Sequence, residues 1–141
     1  MKDYIEMNDG LLLKDIKITL LHAEFVEDLF TRGDGEEASL KISYGVHFNS
    51  IDTPLVGGTD FACKIDLDVH LDETDKQLAI YSAELTLSPT DGFALLKDDE
   101  IAKQIALLGY PHARNKVCSL LFDIGLPIAL PYSPPVFKIS S

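Results

Sequence analysis

Four histidines, two cysteines and a cluster of carboxylates are the residues of this chain whose types could support chemistry. A zinc site would need three or four of them to converge on one ion at fixed geometry. His47, Cys63 and His70 are the nearest to such a set. The alternation around them separates it: His47 and His70 fall on the polar phase of their segments and Cys63 on the apolar phase, so they point to opposite faces of a sheet. His22 and His112 each stand alone. No metal site is expected. Asp66 and Asp68 share one face, with Asp72, Glu73 and Asp75 just beyond. Paired carboxylates become an acid and a base where a cleft drives their pKa values apart, and a solvated sheet face offers no cleft. Cys118 and Ser119 lie in a helical stretch without a histidine at a useful spacing or a nucleophile-elbow pattern. Gly57-Gly58 is not followed by Lys-Ser/Thr and cradles no phosphate. Neither an enzyme nor a cofactor is expected.

The bulk properties are those of one domain spanning residues 1–141, of which 46% are hydrophobic. There is no apolar run of membrane-spanning length, and Met1-Lys2-Asp3-Tyr4-Ile5-Glu6 lacks the apolar core of a signal peptide. A cytoplasmic protein with two free, buried thiols is the expectation. The net charge of −11 is uneven. Residues 1–100 hold 22 acidic and 8 basic residues, net −14, while residues 101–141 hold 1 and 4, net +3. Nucleic acid is a poor partner for such a chain, because phosphate binding needs clustered Lys and Arg. The acidity either keeps an apolar-rich protein soluble or steers basic proteins toward it.

The elements that position these residues are legible in the spacing. After a flexible leader over 1–12, Ile16, Ile18 and Leu20 begin a strand whose alternation slips at Leu20-Leu21, as at a bulge. Leu40, Ile42, Tyr44, Val46 and Phe48 form the apolar face of a second strand. Phe61, Cys63, Ile65, Leu67, Val69 and Leu71 form that of a third, and Ala79, Tyr81, Ala83, Leu85 and Leu87 that of a fourth. Short turns make these neighbours antiparallel, so residues 13–88 read as an antiparallel sheet with one polar face. From Asp98 the period changes. Ile101, Ile105, Leu108, Ala113, Val117, Leu120 and Ile124 mark a helix over 98–124 that opens on Asp98-Asp99-Glu100 and stops at Gly125 and Pro127. Gly109 and Pro111 predict a kink dividing it into two segments. The fold class is α+β: a four-stranded antiparallel sheet covered on one face by a long, kinked C-terminal helix.

A mismatch follows. A helix of about 24 residues runs some 36 Å but covers a single strip, while four strands spread over roughly 15–20 Å. The crossover Phe93-Ala94-Leu95-Leu96 and the tail 125–141 are apolar too, and five of the seven prolines lie from Pro111 onward. A proline string among Leu, Ile, Tyr, Val and Phe is no regular strand and is too apolar for a solvated tail. It must lie on its own core or on another chain.

The order of elements, Tyr110-Pro111-His112-Ala113-Arg114 in the helix, then Gly125, Pro127 and Ile128-Ala129-Leu130-Pro131 running to Pro135-Val136-Phe137, resembles the SecB family of export chaperones over residues 13–137. The resemblance implies a dimer of dimers with helices at the contact, which would place Val117, Leu120, Leu121 and Ile124 at the oligomer interface. It implies ATP-independent holding of unfolded clients in apolar grooves, lined here by Leu40, Ile42, Tyr44, Phe93, Leu126 and Phe137. It also marks Glu84 as a contact for the SecA motor. Two departures weaken that last point: His22 stands where the family has an aspartate, and the sequence stops four residues after Phe137, where the family has a second helix. The function expected is therefore holding of unfolded proteins, for export or to protect a dedicated client such as a labile antitoxin. The alternatives are an adaptor whose apolar surface serves self-assembly alone and, last, a small-ligand or hydrolytic domain.

Overall fold

The computed structural model describes residues 10–24, 40–48, 60–72, 76–90, 98–126, 128–135 and 137–140. Most of the expected leader, the turn at Gly57-Gly58 and the crossover with Phe93 lie outside these residues. Among these residues, four strands, β1 (Leu11–Ala23), β2 (Leu40–His47), β3 (Phe61–Leu71) and β4 (Gln77–Pro89), precede one helix, α1 (Asp98–Asp123), and a short strand, β5 (Phe137–Ser140). They form one sheet in the order β1-β4-β3-β2-β5. The first four strands pair antiparallel; β2–β3 and β3–β4 join neighbours in the chain, as short turns lead one to expect, whereas β1 pairs not with β2 but with β4, a contact no short turn makes. To them is added β5, which pairs parallel with β2 (Tyr44 opposite Phe137, His47 opposite Ser140). The proline string itself is not strand, as expected; strand pairing begins just beyond Pro135. The slip read near Leu20 is a real irregularity, with the β1–β4 register shifting between Ile18 and Leu20 and again between Leu13 and Asp15.

The apolar phases of β2, β3 and β4 form the floor of a single core. Tyr44, Val46, Ile65, Leu67, Val69, Tyr81, Ala83, Leu85 and Leu87 are all buried. Helix α1 closes over them as one uninterrupted element of 26 residues that contains Pro111. Gly109 and Pro111 therefore do not divide it, contrary to the expectation of two segments. Proline removes the bond to the carbonyl four residues back, that of Leu107; both residues are on the exposed side, where water can serve that carbonyl.

The buried face of α1 keeps Ile101, Ile105, Ala113 and Val117 of the expected stripe but is rotated away from Leu108, Leu120 and Ile124. It is the lane of Ile101, Ala102, Ile105, Ala106, Tyr110, Ala113, Val117 and Leu121. Small side chains let the helix approach closely. At Gly109 an added Cβ would lie 2.7 Å from Ile65 Cδ1 and 3.2 Å from Leu85 Cδ2, so the backbone all but touches the sheet there. Leu108, Leu120 and Ile124 are pushed to the flanks and are half-buried, while Leu107 and Phe122 face outward.

Candidate functional site

Helix α1 lies mainly over β1 and β4 and reaches β2 only lightly. The β2 side of the apolar face is thus the strip the helix leaves open. Its middle is held by Tyr44, whose hydroxyl donates to the Ala106 carbonyl at 2.8 Å and whose ring meets Tyr110 edge-on at 5.4 Å between centroids. Burial raises the pKa of both phenols, with Arg114 pulling Tyr110 partly back. At the near end of β2, Leu40 and Ile42 are only half-buried.

The chain after α1 is steered toward this strip by a sequence of local devices. Gly125, at φ 90°, ends the helix; its N–H donates to the Phe122 carbonyl and that of Leu126 to the Leu121 carbonyl, a Schellman pair. Leu126 folds back into the core beside Leu121. Two side chains one helical turn apart then clamp the returning segment. Tyr110 donates its hydroxyl proton to the Pro131 carbonyl at 2.6 Å, and Arg114 Nε donates to the Leu130 carbonyl at 2.9 Å. The Arg114 guanidinium also lies 4.0 Å from the centroid of the Tyr132 ring, a cation–π contact. Leu130 is buried by this strap while Tyr132 remains 85% exposed. Beyond it, β5 docks on the outer edge of β2 over Tyr44–His47 and no further. Among the described residues no strand pairs with that edge at Leu40–Ser43.

The residues expected to line a client groove therefore divide. Leu40 and Ile42 are partly accessible at the open end of β2. Tyr44 and Leu126, each 2% exposed, belong to the core and have almost no surface to offer. Phe137 heads β5, and Phe93 lies outside the described residues. The residues expected at an oligomer contact divide too. Val117 and Leu121 are wholly covered by their own subunit, because the helix lane they occupy faces the sheet. Leu120 and Ile124 keep accessible area on the flank. Phe122, 70% exposed and missed by periodicity because it falls outside the buried lane, is the largest apolar surface on the helix. The strap formed by Tyr110 and Arg114 was likewise not foreseen, although both residues sit in the motif that carries the resemblance.

The opposite face of the sheet is polar. Glu84 stands there half-buried, faced in register by Lys17 of β1 and Lys64 of β3. Nearby, His47 Nε2 bonds Asp66 Oδ2, and Ser82 Oγ donates to Asp66 Oδ1 at 2.7 Å. Serine, histidine and aspartate thus meet on three adjacent strands, but the aspartate is central. In a hydrolytic triad the imidazole must touch the hydroxyl to take its proton. Here the carboxylate accepts from both neighbours, so Ser82 is anchored rather than activated. His70 and Gln77 similarly bond Asp68, at 2.8 and 3.1 Å. The ties of Asp66 and of Gln77 cross strands, while that of His70 runs along β3, all on a wet face.

A sheet of this order, roofed on its apolar face by one long C-terminal helix, is the SecB-like fold. Aligned with it at a TM-score of 0.58 over 88% of this chain and 90% of the other is the Mycobacterium tuberculosis Rv1957 SecB-like chaperone, determined in complex with a ChAD peptide from the Rv1956 HigA1 antitoxin; sequence identity is 15%. A Streptococcus agalactiae protein of unknown function aligns at a TM-score of 0.41 and 8% identity, over 86% and 97% of the two chains. No family model matches this sequence, and no curated protein matches it.

Proposed function

We propose that this protein is an ATP-independent holding chaperone that takes extended apolar segments of unfolded proteins along the β2 side of its sheet. One observation carries the reading: a single helix roofs a sheet wider than itself, and the strip it leaves open, at Leu40 and Ile42, is apolar and half-accessible. Groove burial at about 25 cal/mol per Å² competes with folding of the client without fuel, and its yield is limited by the cost of ordering the client. Leu40, Ile42, Phe93 and Phe137 are the contacts we assign to the client, with Tyr44 and Leu126 as the floor beneath them.

The structural neighbour was solved holding an antitoxin peptide, which favours a dedicated client of that kind over general export. The position of Glu84 between two lysines in register adds to this, since a basic surface of a motor would meet a neutralised spot. We also assign the assembly to the outer flank of α1, through Leu120, Phe122 and Ile124, as a dimer of dimers in the cytoplasm.

The test is suppression of aggregation of a chemically denatured protein. Near-stoichiometric protein without nucleotide should keep the denatured substrate soluble, and Ile42→Lys should lose that capacity while keeping the elution volume of the parent. An adaptor that only self-assembles would leave aggregation unchanged. Loss of the assembly by Ile42→Lys would place that residue in the subunit interface instead.

A further inference from the structure

The outer edge of β2 already has an occupant. β5 is a four-residue strand, the only parallel pairing among the described strands, and it covers half of β2's length. Its sequence, Phe137-Lys138-Ile139-Ser140, alternates apolar and polar residues and carries one positive charge. The chain before it is tied down by bonds that do not involve β5: those of Tyr110 and Arg114 to the Pro131 and Leu130 carbonyls. Short parallel pairing contributes little by itself. A strand on a short arm, stiffened by Pro134 and Pro135, keeps a high effective concentration at its slot and can leave and return without disturbing the core.

From this we infer that the β2 edge is a strand-accepting site, that β5 is its resident occupant, and that an extended client segment binds by taking the place of β5. The inference rests on the holding function proposed above and names the site's ligand more closely. The segment it selects resembles β5 itself: extended, with apolar residues alternating with uncharged or basic ones, the latter favoured by a subunit of net charge −11. Main-chain bonds to the edge serve any sequence that can extend, and among the described residues no strand pairs with that edge at Leu40–Ser43, where entry can begin. The chain's own strand thereby sets the threshold. A slot vacant one-tenth of the time takes its ligand about tenfold more weakly than a vacant one, so weak segments are refused and strong ones displace the tail.

Two full-length variants in a Cys118→Ser background test this. In the first, His47→Cys with Ser140→Cys joins two residues that face each other in the register, and oxidation locks β5 in place. In the second, Lys138→Pro with Ile139→Pro removes the two central N–H groups of β5, one of which faces β2, and fixes their φ, so that the strand pairs poorly. The probe is a short fluorescent peptide alternating Phe or Val with Thr or Lys, read by anisotropy. The expected result is roughly tenfold weaker binding to the oxidised than to the reduced locked variant, and several-fold tighter binding to the proline variant than to the parent. Equal binding in the oxidised and reduced forms, or unchanged or weaker binding by the proline variant at native far-UV circular dichroism, overturns the displacement while leaving the holding function standing. If the proline variant unfolds, the redox comparison decides alone. Failure of the parent, the reduced variant and the proline variant alike to bind the peptide or to suppress aggregation overturns the holding function and the displacement with it.

Discussion

Tyr44 and Tyr81 each bury a phenol in the core, and their hydroxyls have opposite fates. That of Tyr44 donates to the Ala106 carbonyl; that of Tyr81 has no hydrogen-bond partner among the described residues. A made bond between buried groups contributes about 1 kcal/mol, whereas an orphaned polar group costs about 1–3 kcal/mol. Tyr44→Phe should therefore lower stability by about 1 kcal/mol and Tyr81→Phe should raise it by a similar amount. Urea titrations of the two variants should move in opposite directions, and movement in the same direction would contradict the hydrogen-bond assignment. Cys63 makes a second prediction. Burial, reinforced by the Glu84 carboxylate, pushes its thiol up to about 12, above the unfolded value near 8.5. The folded state thus holds a proton that the unfolded chain releases. The associated stability is intact below pH 8.5 and is lost as pH rises toward 12. Tyr44, Tyr81 and Tyr110, all raised by burial, act in the same sense at higher pH. Thermal melts should fall steeply above about pH 9, and less steeply for Cys63→Ala compared with its own neutral value. Cys63 should also resist thiol reagents until unfolding.

At the level of the elements, the close approach of α1 to the sheet is the feature with the sharpest consequence. Gly109→Ala puts a methyl 2.7 Å from Ile65 Cδ1, which must be relieved by turning the fully buried Ile65 side chain within its packed surroundings or by lifting the helix. Overpacking of this kind costs about 1–3 kcal/mol, whereas the same change on an exposed helix stabilises by up to about 1 kcal/mol. The sign of the change in melting temperature is thus diagnostic. This lane also shows what could be read from residues alone. The three central strands announce themselves because every second residue faces one core, so alternation is clean over Tyr44–Phe48, Cys63–Leu71 and Ala79–Leu87. The existence of the helix and its end at Gly125 follow equally from period and punctuation. Its rotation does not. Periodicity weights large residues, but contact with the sheet selects small ones, so Ala102, Ala106 and Gly109 face inward and Phe122 outward. The candidate site was legible in part for the same reason. Leu40 and Ile42 lie on a clean alternation. The strap depends on Tyr110 and Arg114 meeting main-chain carbonyls some twenty residues away, and β5 on a parallel partner far back in the chain. Neither has a local signature.

For the whole molecule, the assembly proposed above rests on the placement of apolar surface. Phe122 is 70% exposed on the flank that Leu120 and Ile124 share, and covering a phenylalanine contributes about 2 kcal/mol. Because the side chain supports nothing inside its own subunit, Phe122→Asp should leave the fold intact and yield a smaller particle by light scattering. An unaltered mass would move the contact elsewhere, to Leu12, Ile18 and Leu20 along β1, which are also exposed. The strand order has a consequence for how a new copy is made. β2, β3 and β4 join neighbours in sequence, but Leu11 of β1 waits for Pro89, and β5 must reach back to Tyr44. Both margins of the sheet close late, since long loops must be ordered before their contacts form. During synthesis β1 leaves the ribosome as a lone, partly apolar ribbon with its mate not yet translated. Until Gln77–Pro89 has followed, the order of the sheet offers that ribbon no edge to pair with.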